Sequence, residues 1–218
     1  SSPSRGLGDV YKRQQKLGVC EFPMKIKHIA YLVITFFIGN YSMADKMIVD
    51  DMKNQSGTPD EEFCESGNAK WCFVTDKVMG GISEGSLEFI KESDTYFYRM
   101  TGDLSLENNG GFIQFRTKIE NHPKGKSFRG VRLRVRGNNN EYTVHIRTKY
   151  LFLPWQYYES AFQATEKWTT IELPFTTFKK SNFYQPSSVS SQDINTIGIV
   201  AIGREFKAQI DLASIELY

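Results

Sequence analysis

Gly81-Ile82-Ser83-Glu84-Gly85 has the G-x-S-x-G spacing in which a serine nucleophile stands on a turn between a strand and a helix. Its surroundings argue against that role. Gly85-Ser86-Leu87-Glu88-Phe89-Ile90 reads as a turn entering a strand, so the helix that an elbow needs does not follow. The double glycines Gly80-Gly81 and Gly110-Gly111 lack phosphate-loop spacing and open no helix; each predicts a tight turn or bulge that needs positive φ or close backbone approach. After residue 44 the only histidines are His122 and His145, and neither neighbours a candidate nucleophile. No adjacent carboxylate pair suggests glycosidase chemistry, although pairs distant in sequence stay open. The expectation is a protein with no catalytic residues, no cofactor and no metal site.

The residues that could bind rather than react are basic and aromatic. Val131-Arg132-Leu133-Arg134-Val135-Arg136 alternates strictly, then Gly137-Asn138-Asn139-Asn140 leads into Glu141-Tyr142-Thr143-Val144-His145-Ile146-Arg147. This pattern predicts a β-hairpin with Val135 opposite Tyr142, Leu133 opposite Val144 and Val131 opposite Ile146. The other face would collect Arg132, Arg134, Arg136, His145 and Arg147, and a one-residue slip would drive arginines into the core. In Phe112–Ile119, Ile113, Phe115 and Ile119 read inward, while Gln114, Arg116 and Lys118 read outward.

Arginines two apart on a strand lie about 7 Å from each other, and in water their repulsion is only about 0.6 kcal/mol before screening. A plain solvated face can carry that cost, so solvation and a site for an anion, a sugar or an acidic partner both stay open. Trp155 and Tyr157 favour a site, because aromatic and Arg side chains together anchor binding surfaces. The candidate binding set is therefore Arg116, Arg132, Arg134, Arg136, His145, Arg147, Trp155 and Tyr157. Tyr158 and Phe162 read as core.

Short apolar or alternating runs at 71–78, 86–90, 96–102, 112–119, 131–136, 141–149, 157–163, 169–175, 196–202 and 208–218 must position these residues. They are separated by Gly, Asn, Pro and Ser clusters, and no long helical period intervenes. Strands so spaced predict an all-β sandwich or barrel spanning 69–218.

The chain has 218 residues, 40% of them hydrophobic, which suits one core. Its net charge of +2 comes from 27 basic and 25 acidic residues. Residues 1–44 hold Arg5, Lys12, Arg13, Lys16, Lys25 and Lys27 against Asp9 and Glu21, leaving 21 basic against 23 acidic beyond them. Bulk charge therefore gives no support to a nucleic-acid partner.

Three segments precede the domain. The run from Ser4 to Gln14 resembles an in-frame translation of a transposase adaptor, so 1–23 reads as adaptor and read-through sequence. Residues 24–44 read as a signal peptide: Lys25 and Lys27, an apolar run from Ile29 to Gly39, then the small-x-small site Ser42-Met43-Ala44. The apolar run is shorter than the roughly 20 residues of a spanning helix. Export to a bacterial periplasm or the extracellular space follows, with no stable membrane span after cleavage. Residues 45–68 are polar and read as a tail or linker. Cys64 and Cys72 make a plausible disulfide in an oxidising compartment, worth roughly 2.5 kcal/mol in the chain-entropy view.

Several pieces taken in order carry a family resemblance: Trp71 to Asp76, Val78-Met79-Gly80-Gly81-Ile82-Ser83-Glu84-Gly85, Asn108-Asn109-Gly110-Gly111-Phe112 with Arg116, Arg134-Val135-Arg136-Gly137 with Tyr142, Arg147-Thr148, and Trp168 with Leu173-Pro174-Phe175 and Phe178. Together they resemble the complex I intermediate-associated protein family, across 71–218. The resemblance implies a galactose-binding-like jelly-roll β-sandwich. It also implies a non-catalytic role in assembling NADH:ubiquinone oxidoreductase, with a protein partner such as a respiratory-complex assembly intermediate. The export signal departs from that pattern, and jelly-roll architecture with aromatics makes an exported carbohydrate-binding module the alternative.

Overall fold

Val131, Leu133 and Val135 are fully buried, while Arg132, Arg134 and Arg136 project from the opposite side of the same strand. Period-two alternation of this kind builds a sandwich, because each sheet hides one face against the other. The computed structural model describes residues 45–53 and 70–218, all within the unit Ala44–Tyr218.

The first sheet holds β3 (Glu84–Glu92), β4 (Thr95–Asp103), β12 (Lys207–Leu217), β6 (Gly130–Gly137) and β9 (Thr169–Pro174) in that order. A further strand, β1 (Met47–Asp50), pairs with the end of β12. The second sheet runs β10 (Lys179–Lys180), β8 (Tyr158–Ala164), β7 (Asn140–Thr148), β11 (Ile194–Ile202), β5 (Phe112–Lys118) and β2 (Cys72–Thr75). Every pairing is antiparallel, and the two sheets form a jelly-roll β-sandwich with no α-helix among the described residues. Between the sheets lie Leu133, Ile146, Ile197, Ile199 and Ile210, together with Trp71 packed on Tyr98 and Phe115 at ring separations of 5.9 and 5.2 Å. Tyr158 and Phe162 join them, as their pattern predicts.

The expected hairpin is not a hairpin. β6 pairs with β12 and β9, whereas β7 pairs with β11 and β8, so the Gly137-to-Asn140 connection carries the chain from one sheet to the other. Val131, Leu133, Val135, Tyr142, Val144 and Ile146 are all buried, as expected, but they face one another across the core. Alternation specifies which side chains go inward. It does not specify whether the next strand lies beside its predecessor or opposite it.

The polar tail expected at 45–68 also needs correction at its start. Met47, Ile48 and Asp50 align with Leu217, Glu216 and Ile215 of β12, beyond the stretch of β12 that β4 covers. Asp50 fastens this strand: its buried carboxylate accepts Trp71 Nε1 at 2.7 Å and Met52 N at 2.9 Å, with Lys70 Nζ at 3.1 Å. Four residues are too few to show a pattern, so the strand exists because an edge and a buried indole await it. Residues 54–69 lie outside the described residues. No helix among the described residues is long and apolar enough to cross a membrane, and 24–44 lies outside them.

Both double glycines wrap one carboxylate. Asp76 is fully buried and accepts Ser83 N at 2.9 Å, Ser83 Oγ at 2.5 Å, Gly111 N at 2.5 Å and Phe112 N at 3.3 Å. A Cβ on Gly81 or Gly110 would come within 2.3 or 2.5 Å of Asp76, while Gly80 and Gly111 have φ of +92° and +121°. Positive φ and close backbone approach are both realised. Ser83 of the G-x-S-x-G stretch is thus a buried structural partner of Asp76, followed by β3.

Candidate functional site

The split between sheets divides the predicted binding set. Arg132, Arg134 and Arg136 lie on the outer face of the first sheet; Arg116, His145 and Arg147 lie on the outer face of the second. These two groups are not one surface, which corrects the single face expected from the sequence.

On the first sheet the arginines are already occupied. Asp211 of β12 stands directly between Arg136 of β6 and Arg99 of β4 in the strand register. It accepts Arg99 Nε and Nη2 at 2.7 and 2.8 Å and Arg136 Nε at 2.6 Å, and Arg136 also reaches Glu92. Arg132 lies between Glu172, at 2.7 Å, and Glu216, its register partners on β9 and β12. Arg134 meets no carboxylate among the described residues and rests over the ring of Trp168, 5.2 Å from its centroid. Cross-strand pairs of opposite charge stabilise a sheet, so Arg132 and Arg136 are structural.

On the second sheet one register row reads Cys72, Arg116, Gly198, His145, Glu159 and Lys179 across six strands. Gly198 leaves that row without a side chain at its centre. Next along the strands, Thr196 of β11 faces Lys118 on one side and Arg147 on the other. The Tyr157 ring stacks on His145 at 4.0 Å with an interplanar angle of 11°. Glu159 Oε2 stands 3.6 Å from His145 Nε2, and the facing imidazole holds the Glu159 carboxyl below the usual range. Arg147 Nη2 donates to the carbonyls of Leu151 and Leu153 at 3.2 and 3.0 Å, bracing the loop after β7.

That loop and the one after β10 are laced together. Ser181 Oγ donates to Trp155 O at 2.9 Å and accepts Tyr157 N at 3.0 Å, and Gln185 Nε2 donates to Tyr157 O at 2.7 Å. Buried Leu151, Gln156 and Gln185 anchor the loops, leaving Tyr150, Leu153 and Trp155 exposed. Phe152, Phe183 and Tyr184 are 85%, 83% and 88% exposed. Charge patterning does not find Phe152, Phe183 or Tyr184; the available signal is their setting, large apolar residues in segments with no strand alternation.

Thus His145, Arg147, Trp155 and Tyr157 come together at the β7–β8 side of the second sheet, and Arg116 shares its outer face from β5, on the far side of β11. Arg132, Arg134 and Arg136 do not. Cys72 is disulfide-bonded at the start of β2; Cys64, expected as its partner, lies outside the described residues. Among the described residues no three His, Cys, Asp or Glu side chains form a metal-ligand set.

The description Complex I intermediate-associated protein 30 (CIA30) matches residues 62–212. No curated protein matches the chain by sequence. Among solved structures, the chain is similar to a family 11 carbohydrate-binding module from Clostridium thermocellum in complex with a β-1,3-1,4-mixed-linked tetrasaccharide. That match has a TM-score of 0.56 and 15% identity, covering 81% of this chain and 96% of the module. A second similar structure is the family 11 module of a cellulosomal cellulase of Clostridium thermocellum, with a TM-score of 0.56 and 14% identity over 81% and 95% of the two chains. At such identities the likeness concerns the fold.

Proposed function

The chain belongs to the complex I intermediate-associated protein 30 family, and on that premise we propose that it is an exported, non-catalytic protein-binding module of assembly-factor type. The observation that carries this reading is the pair of laced loops holding Phe152, Phe183 and Tyr184 almost wholly in solvent. Large apolar side chains so displayed cost solubility unless a partner covers them, and aromatic residues beside arginines are the usual anchors of protein interfaces. The second-sheet residues Arg116, His145, Arg147 and Tyr157 continue this surface. The segment at 24–44 supports export to the periplasm or the cell exterior.

Crosslinking in the native host followed by purification tests the reading. Identified subunits of the membrane respiratory complex should copurify with the wild-type protein and fall away with a Phe152→Ser, Phe183→Ser variant that keeps its circular dichroism. Equal recovery with both proteins would end this proposal.

A carbohydrate-binding role is the second reading, favoured by exposed Trp155 beside Tyr157 on a fold shared with a carbohydrate-binding module. A glycan array read with wild type and Trp155→Ala separates the two. Saturable glycan binding lost in Trp155→Ala would select the carbohydrate role.

A further inference from the structure

Five arginines of the sandwich are half-buried: Arg99, Arg116, Arg132, Arg136 and Arg147. Three of them, Arg99, Arg132 and Arg136, meet carboxylates on the first sheet. The other two share the outer face of the second sheet, and neither meets a carboxylate among the described residues. Arg116 makes no hydrogen bond there, and Arg147 spends only Nη2 on the carbonyls of Leu151 and Leu153. A half-buried guanidinium without a counter-charge forgoes both water and the charge-assisted bonds that its forked donors can make.

The register sets the two on a diagonal across β11, two positions apart along the strand. Arg116 is aligned with Gly198 of β11 and Arg147 with Thr196, so the intervening strand offers one bare backbone position and one hydroxyl. A Cβ on Gly198 would stand 2.9 Å from Arg116 Cβ, so the missing side chain is what gives Arg116 its room. The charges sense each other: burial, then the charge of Arg116, lowers the Arg147 pKa. Two like charges on one face that feel each other, each with free N–H groups, form an arrangement that an anion completes.

We infer that Arg116, beside the side-chain-free position Gly198, and Arg147, beside Thr196 on the same strand β11, form an anion-binding subsite that takes a carboxylate of an acidic protein segment. The subsite rests on the docking role given above to the same face. The occupant is peptide rather than sugar acid because Phe152, Leu153 and Phe183 border the face, and a ligand covering both regions must carry apolar and acidic groups together. Lys118, opposite Thr196, adds positive charge beside the pair.

The test is a calorimetric titration of the exported protein with a terminally blocked tetraglutamate peptide at constant ionic strength. Wild type should bind saturably. Arg116→Gln, which breaks no hydrogen bond, should lose at least about tenfold in affinity, Gly198→Ala should also weaken binding, and Arg134→Gln on the other sheet should match wild type. Equal affinity in Arg116→Gln and wild type, or binding of oligogalacturonate in place of the peptide, would overturn the inference. Wild-type recovery of respiratory subunits by Arg116→Gln would overturn it too while leaving the docking role standing. Peptide binding kept by the Phe152→Ser, Phe183→Ser variant, whose partner recovery is undiminished, would discard that role and retain the subsite.

Discussion

The Asp76 carboxylate accepts the backbone N–H of Gly111, 35 residues along the chain, at 2.5 Å, and so ties together the two glycine turns. Burial opposes ionisation of Asp76, but hydrogen bonds from Gly111, Ser83 and Phe112 outweigh it and hold its pKa below the ordinary value. The folded state therefore prefers the ionised form. The stability this contributes is complete above about pH 4, the range of an unperturbed Asp, and is lost as pH falls through the lower folded pKa.

Asp76→Asn should accordingly cost about 2–3 kcal/mol at pH 7, since it presents an amide to donors that need an acceptor. In urea titrations the gap between variant and wild type should narrow as the pH drops below about 4. A gap independent of pH would show that ionised Asp76 does not stabilise the native state.

Asp211 provides a matching expectation for the first sheet. Its removal in Asp211→Ala leaves Arg99 and Arg136 half-buried without their shared carboxylate, a change that costs about 3 kcal/mol for buried pairs. Arg134→Ser, on the same face but without a carboxylate, should stay within about 0.5 kcal/mol of wild type. Thermal or chemical unfolding of both variants checks the contrast, and equal losses would contradict the division between paired and unpaired arginines.

Cys64 should be the partner of Cys72. Non-reducing peptide mapping of the exported protein should return one crosslinked pair joining them, and reduction should lower stability by roughly 2.5 kcal/mol. Recovery of Cys64 as a free thiol would refute the pairing.

Mature protein should begin near Asp45, after the Ser42-Met43-Ala44 site. Intact-mass measurement of the exported form decides this; a mass that retains 24–44 would mean an anchored protein. Cleavage there also leaves β1 only two residues from the new terminus, with Lys46 Nζ on Glu216 at 2.5 Å holding it to β12.

The inward and outward destinations of most side chains were legible in the sequence, because a strand alternates with period two and arginine cannot be buried unpaired. Leu133, Val144, Ile113 and Phe115 went to the core, and Gln114, Arg116 and Arg134 did not. The glycine pairs were legible as backbone features, although nothing local pointed to Asp76 as their common centre, since its partners lie seven and thirty-five residues away. Which arginines share a surface was decided only by tertiary structure. The Gly137–Asn140 connection crosses between sheets rather than folding back within one, and both choices bury the same residues. That choice put Arg132 and Arg136 among Glu216, Glu172, Glu92 and Asp211, and left Arg116 and Arg147 on the other side, where strand neighbours distant in sequence bring them no carboxylate. Burial is a property each residue carries in its own chemistry; charge neutralisation is a property of neighbours, and neighbours come from topology.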